Sequence, residues 1–238
     1  MRFQDASRDA RAVVYAGVQA DPTVARAAQL LAAATTGQRL LARAAMNGQS
    51  DDPAAWRVMF PTLFGPRAEA AESERSEAVL TAALDVAGRG EHARSLYRGA
   101  IVEALTERLL AQRVQPAAVH RERRILFDGV RSEIHPYDVT VELPDRAEAY
   151  DCKWGARGIN AEVLLQLDLA RRNAELEGAR LVTALVVFDS RRSCRVRLAR
   201  QTPTPGVRLV ALESLDALAG GKPAVPGALA GADPGRTS

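Results

Sequence analysis

The sequence predicts an α/β protein in which helices flank a mixed central sheet and an all-helical unit precedes the sheet. Three observations predict this fold class. The first ninety residues read as helices with Gly and Pro breaks, short strand-like runs lie between 123 and 154, and residues 180–189 form a continuous apolar run. Such an apolar run is typical of a buried central strand. Strands that alternate with amphipathic helices indicate an α/β layout.

Residues 1–90 are predicted to form a small helical unit. A helix is expected over 6–46, with a start signal at the "DPT" segment, and the polar segment 47–53 reads as a break. A further helix over 67–88 runs to a glycine break. These helices are the predicted contact for a protein partner or for a second copy of the chain.

Residues 91–221 are predicted to form the α/β domain. Its elements in order are a helix over 93–114, strands over 123–130, 136–143 and 147–154, a helix over 160–178, a strand over 180–189, two short strands over 195–200 and 206–212, and a last short helix. The tail over 222–238 is rich in Pro, Gly and Ala, and it is predicted to be disordered.

Composition excludes several classes of protein. Two cysteines, Cys152 and Cys194, cannot build a disulfide framework and lack metal-ligand spacing. We find no basic-then-apolar leader and no apolar run close to the roughly 18 residues of a membrane span. A membrane partner is therefore not expected, and the expected location is the cytoplasm. Of 32 Lys plus Arg residues only two are lysines, Lys153 and Lys222, and the net charge is +3.

One predicted hairpin brings two aspartates and a lysine together. Pro144 and Asp145 suit the central positions of a type I turn, and that turn pairs Asp138 with Asp151 across the hairpin. The two Cβ atoms would lie about 4.5–5.5 Å apart on one face of the sheet. Period-2 alternation places Lys153 on the same face.

These three side chains favour a metal-assisted reaction at phosphate. Opposed carboxylates repel, and Mg²⁺ would remove the repulsion, because one or two carboxylates, waters and substrate phosphate typically hold it. A bound cation lowers the pKa of water and stabilises a leaving oxygen. The compact ammonium of Lys153 can hold the attacking water or neutralise charge on phosphate better than the broader guanidinium. Two simpler interpretations stay open: Asp138 and Asp151 as surface residues paired with arginines, and Lys153 as a chance survivor.

Asp138, twelve intervening residues and then Asp151-Cys152-Lys153 resemble the core motif of the PD-(D/E)XK nuclease superfamily, which has the restriction-endonuclease-like fold. The resemblance covers about residues 93–215. It implies a nuclease that hydrolyses phosphodiester bonds of nucleic acid with Mg²⁺, with Mn²⁺ as a substitute; DNA is favoured as the substrate and RNA stays the alternative. It also implies that Asp138, Asp151 and the backbone carbonyl of Cys152 are metal ligands, and that Lys153 is the catalytic lysine.

Two helices carry the other site residues that the resemblance implies. Glu103 would be a third acid that completes the metal shell, and Glu107, one turn away on the same face, is the alternative. Gln166 lies where the RecB-like members carry a glutamine, although Ala170 stands where those members have tyrosine. A helix-surface glutamine is the alternative there. The motif also departs from the literal pattern, because it reads "PYD" rather than "PD".

Three groups of arginines in the α/β domain are predicted to bind a phosphate backbone, since guanidinium groups bind phosphate bidentately. They are Arg121, Arg123, Arg124, Arg171, Arg172, Arg191 and Arg192. Solvated surface charge and biased base composition are the simpler interpretations. Two other functions stay open: a catalytically inactive nuclease-fold module that binds nucleic acid or a protein, and an interaction protein in which the N-terminal helices bind the partner.

Overall fold

The chain forms an α/β fold in which helices cover both faces of a mixed sheet. The computed structural model describes residues 1–6, 10–48, 50–131, 135–204 and 206–220. The tail predicted to be disordered, 222–238, lies outside the described residues. Within the described ranges, no helix has the length and apolar character needed to cross a bilayer.

Most of the helices precede most of the strands along the chain. Helices α1 to α9 are Ala10–Gln19, Pro22–Ala32, Thr36–Asn47, Pro53–Met59, Pro61–Phe64, Ala70–Ala87, Glu91–Leu110, Ala161–Leu176 and Arg191–Leu198. Strands β1 to β7 are Arg2–Asp5, Val119–Phe127, Val130–Arg131, Tyr137–Glu142, Ala147–Lys153, Leu181–Val187 and Arg208–Ala211. Short 3₁₀ turns lie at Pro116–Ala118, Ala156–Gly158 and Leu212–Leu218.

The sheet combines an antiparallel half with a parallel half. The strand order is β1-β2-β4-β5-β6-β7, and β3 pairs with β2. Strands β1, β2, β4 and β5 pair antiparallel, whereas β5, β6 and β7 pair parallel. Parallel neighbours need a crossover connection, which α8 supplies between β5 and β6. The carboxyl ends of β5 and β6 therefore meet at one edge of the sheet.

Helix caps divide the first helical segment. The Asp21 side chain accepts a hydrogen bond from the backbone N–H of Thr23, and Thr35 forms a capping box with Gln38. Each cap satisfies backbone donors that a helix start leaves unpaired, so a new helix begins there. The single helix predicted over 6–46 is therefore wrong, because the described part of that segment forms three helices.

The helices of residues 1–90 and one face of the sheet share a hydrophobic core. Leu41 of α3 and Val79 of α6 belong to the same buried cluster as Val139, Tyr150 and Phe188. The other face of the sheet forms a second core against α8 and α9. The N-terminal segment therefore forms a layer of the fold outside α7, because its helices pack mainly on α7 and on one another, while α7 packs on the sheet.

Two sequence-based predictions of secondary structure are corrected. Residues 1–90 are not all helical, because Arg2–Asp5 form β1 and pair with the edge of β2. The strand predicted over 195–200 is wrong, because residues 195–198 belong to α9, which begins where Ser190 accepts a hydrogen bond from the backbone N–H of Ser193, and 199–200 form a turn. The apolar positions of a short alternating segment fit either a strand or one face of a helix, and the cap decides in favour of the helix.

Candidate active site

The β4–β5 hairpin has the predicted register. Val139 pairs with Tyr150, so the same register places Asp138 and Asp151 at the next position. There the Asp138 Oδ2 atom accepts a hydrogen bond from the backbone N–H of Cys152 at 2.6 Å. A carboxylate thus takes a place that a backbone carbonyl takes in a regular ladder. The start of β4 therefore holds the carboxylate of Asp138 against the backbone of β5 near the end of that strand.

Asp151 and Lys153 form an ion pair at the end of β5. The Lys153 Nζ atom donates to Asp151 Oδ1. The side chain of Asp151 is 7% exposed and that of Lys153 is 29% exposed, so the acid is inside and the ammonium reaches the surface. Burial acts to lower the pKa of Lys153, but the negative charges of Asp138 and Asp151 outweigh it and raise the pKa. Lys153 is therefore a charged ammonium at neutral pH.

Asp138 lies in a strongly negative environment. Burial raises its pKa, and the charges of Asp151 and Glu103 raise it further. The charge of Lys153 and the hydrogen bond from Cys152 act in the opposite direction, but the net pKa is well above the usual aspartate value. Like charges raise a carboxyl pKa only at close range, so Asp151 and Glu103 lie in the same region of the fold as Asp138.

Glu103 reaches this site from α7, and its residue is 5% exposed. Tyr15 Oη donates to Glu103 Oε1 at 2.5 Å, and Gln19 Nε2 donates to Oε2 at 2.8 Å. Burial raises the pKa of Glu103 and these hydrogen bonds oppose it, with a net upward direction. Glu107, the alternative acid, instead accepts a hydrogen bond from Arg121 Nε at 2.8 Å. The geometry therefore favours Glu103 as the third acid.

Two features of the site lie outside the sequence-based prediction. Tyr15 and Gln19 come from α1 and contact Glu103 across 88 and 84 positions of the chain. A Cβ placed on Gly158 would lie 2.9 Å from Cβ, Cγ and Cδ of Lys153, so Gly158 makes room for the lysine. The sequence signal for the Tyr15 contact was a glycine, Gly99, one turn before Glu103. In the structure a Cβ at Gly99 would lie 3.0 Å from Tyr15 Oη.

Gln166 holds the segment that leads into β4. It is 5% exposed. Its Nε2 atom donates to the carbonyl of His135 at 3.0 Å, and its Oε1 atom accepts from the backbone N–H of His135 at 3.2 Å. These contacts place the side-chain amide of Gln166 at His135, three residues before Asp138. A direct role in catalysis stays a prediction.

Cys152 offers backbone groups rather than its thiol. The thiol is buried, donates to Thr106 Oγ1 at 3.5 Å, and has a raised pKa, chiefly because of burial. In a strand, the N–H and C=O of one residue point to the same neighbour. Because the Cys152 N–H points to Asp138, its carbonyl faces the same side of β5. The carbonyl as a metal ligand stays a prediction.

The donor set fits a hard divalent cation. In the ranges that the structure describes, no three His, Cys, Asp or Glu side chains already converge as a metal shell. Magnesium needs fewer protein ligands, because waters and phosphate oxygens typically complete its shell. Asp138 and Asp151 lie close enough to raise a carboxyl pKa, and a cation between them would offset that repulsion.

Many of the predicted phosphate-binding arginines pair with acids of the same chain. The ion pairs are Arg121–Glu107, Arg123–Asp5, Arg123–Glu142, Arg171–Asp168, Arg171–Glu175 and Arg172–Asp168. Arg124 is half-buried in β2. Phosphate binding by the paired arginines would require them to exchange partners.

Arg191 and Arg192 are differently placed. Both are exposed in the first turn of α9. This helix follows β6, whose carboxyl end is the neighbour of Lys153 at the end of β5. Of the predicted arginines, these two therefore lie at the edge of the sheet that carries the candidate site.

Comparisons with known proteins give one structural neighbour to report. No protein-family model matches the sequence, and no curated protein matches it. Among solved structures, protein VC1899 from Vibrio cholerae is similar, with 16% identity and a TM-score of 0.48 over 92% of this chain. This chain spans 56% of the length of that protein. The function of the chain is therefore inferred from its own residues.

Proposed function

We propose that the protein is a metal-dependent nuclease that hydrolyses phosphodiester bonds of nucleic acid, with DNA favoured over RNA as the substrate. The observation that carries the proposal is the end of the β4–β5 hairpin, where Asp138 accepts a hydrogen bond from the Cys152 N–H and Asp151 pairs with Lys153, near the buried Glu103. Three carboxylates and one ammonium suit a site for a cation and a phosphate.

The order of elements around the site also supports the proposal. A helix with an acid precedes an antiparallel hairpin with two aspartates, and a crossover helix then leads to a parallel strand. This order resembles the restriction-endonuclease-like fold, which is the finer fold class that we propose.

Each residue has a separate role in the proposed reaction. Asp138, Asp151 and the carbonyl of Cys152 would hold Mg²⁺ or Mn²⁺, and Glu103 would support the shell. When bound, the cation would stabilise negative charge on the phosphate and make water a better nucleophile. Lys153 would hold the attacking water and offset charge on the phosphate, because an ammonium has three donors and a full positive charge.

An inactive binding module is the second candidate. One observation favours it: the acids of the site already have partners within the chain. Asp151 pairs with Lys153, and Glu103 accepts hydrogen bonds from Tyr15 and Gln19. A module that kept these contacts for stability would bind nucleic acid or a protein without cleaving phosphodiesters.

The test is cleavage of labelled single- and double-stranded DNA and RNA with Mg²⁺, Mn²⁺ or EDTA. The variants are Asp138→Asn, which keeps an acceptor for Cys152, and Lys153→Met, which keeps an unbranched stem. We expect metal-dependent cleavage that falls by about 10²–10³-fold in each variant, the usual cost of removing one charge-stabilising group. Asp85→Asn, at an exposed position of α6, is the control and should cleave normally.

Two results would contradict the proposal. Absence of cleavage, together with nucleic-acid binding that survives both substitutions, would favour the inactive module. Cleavage that survives both substitutions would mean that the reaction takes place elsewhere on the chain.

A further inference from the structure

Helix α1 presents two donors to one buried acid. Tyr15 and Gln19 are four positions apart, so they lie on the same face of α1. Each binds a different oxygen of Glu103, at 2.5 Å and 2.8 Å. Together they fix both the position and the rotation of the carboxylate, which a single donor could not do.

The chemistry of these donors is unusual for this chain. Among the described residues, the other buried acids each form an ion pair with a lysine or an arginine. They are Glu148, Asp151, Asp168 and Asp189. Within the contacts that the structure describes, Glu103 is held by a phenol and an amide instead. Neutral donors orient a carboxylate without pairing it with a positive charge, so Glu103 can still take a cation as a further partner.

A glycine allows the close approach of α1 to α7. Gly99 lies one turn before Glu103, and a Cβ there would come 3.0 Å from Tyr15 Oη. That separation is tighter than an ordinary contact between a carbon and an oxygen, so a side chain at this position would push the phenol away. The absence of a side chain at Gly99 is thus part of the geometry that brings Tyr15 to Glu103.

We propose that Tyr15 and Gln19 are positioning residues that hold Glu103 for a divalent cation, so that α1 helps to build the metal site. The inference rests on the proposed function, which assigns Glu103 to the metal shell. Carboxylates that bind metals are themselves hydrogen-bonded, and loss of such a partner typically costs about 10–100-fold in metal affinity or activity. The N-terminal layer thereby has a functional role as well as a packing role.

The experiment measures Mn²⁺ binding to the full chain by isothermal titration calorimetry. Tyr15→Phe and Gln19→Leu should each raise the Kd for Mn²⁺ by about 10–100-fold. Tyr97→Phe is the matched control, because Tyr97 also donates its hydroxyl to a carboxylate, that of Asp21, and neither residue contacts Glu103 in the hydrogen bonds that the structure describes. That control should lose a similar amount of stability and bind Mn²⁺ normally.

A second readout separates positioning from general damage to the fold. The Mg²⁺ concentration that gives half-maximal cleavage should rise in Tyr15→Phe more than the rate at saturating Mg²⁺ falls. Unfolding by urea checks that each variant is folded. Normal Mn²⁺ binding by Tyr15→Phe and Gln19→Leu would overturn the inference and leave their contacts purely structural.

Asp138→Asn distinguishes this inference from the proposed function. If Asp138→Asn abolishes Mn²⁺ binding while Tyr15→Phe and Gln19→Leu bind Mn²⁺ with the wild-type Kd, only the inference about α1 fails. If the wild-type protein binds no Mn²⁺, or Asp138→Asn binds it normally, the proposed metal site fails and the inference fails with it.

Discussion

Replacing Gly158 by alanine would displace Lys153 without altering either aspartate. A Cβ at Gly158 would lie 2.9 Å from Cβ, Cγ and Cδ of Lys153. Ordinary carbon contacts are about 3.5–4.0 Å, so the lysine or the loop must move by roughly 0.6–1.1 Å. The contacted atoms belong to the stem of the side chain, next to the backbone of β5. Rotation of the flexible end therefore cannot relieve the contact.

The size of the expected effect follows from that displacement. A misplacement of about 1 Å in a catalytic group can lower a rate by about 10²-fold. We expect Gly158→Ala to reduce cleavage at saturating Mg²⁺ by about that factor. Overpacking typically costs about 1–3 kcal/mol, so the free energy of unfolding should fall by a similar amount. Because domains are typically stable by about 5–15 kcal/mol, most molecules should stay folded while the cleavage rate falls.

The assay compares initial rates of DNA cleavage with unfolding in urea. Gly17→Ala is the matched control, because Gly17 is exposed on α1 and a Cβ there meets no atom within 4 Å. It should cleave at the wild-type rate. Wild-type cleavage and wild-type stability in Gly158→Ala would refute the reasoning, since the lysine would then tolerate a displacement that the geometry forbids.

The remaining predictions concern buried polar contacts. Arg113→Met should lower the free energy of unfolding by about 3–5 kcal/mol, because it leaves Glu148 buried without its cationic partner. The measurement is unfolding in denaturant, and a loss below about 1 kcal/mol would contradict the prediction. Burial acts to raise the pKa of Glu148, but hydrogen bonds from Arg113 and Tyr150 outweigh it and lower the pKa. The stability that this pair contributes is therefore fully present above the ordinary glutamate pKa, and it is lost as the pH falls through the lowered pKa of Glu148. Glu148→Gln should remove that part of the pH dependence of the free energy of unfolding. Gln166→Leu should lower the free energy of unfolding by about 1–3 kcal/mol, because it removes both side-chain hydrogen bonds to the backbone of His135. It should also slow cleavage, because His135 lies just before β4, which carries Asp138. Unchanged cleavage would limit Gln166 to a structural role.

The arrangement of the two aspartates could be predicted from the sequence because its causes are local. A turn at Pro144 and Asp145 sets the register of its own hairpin, and strand alternation then assigns Asp138 and Asp151 to opposed positions. The observed pairing of β4 with β5 has that register. The central strand and the helices that carry Glu103 and Gln166 were also predictable, because continuous apolar runs and helical periodicity are properties of short segments.

Only the tertiary structure decided which distant groups meet these acids. Tyr15 and Gln19 reach Glu103 because α1 packs on α7, and no local pattern in the sequence predicts that packing. The same holds for β1, which forms only by pairing with β2. The short alternating segment 195–200 was ambiguous between strand and helix until its neighbours were in place. Turns, caps and periodicity act between near neighbours, whereas contacts between distant segments depend on which surfaces the whole chain buries.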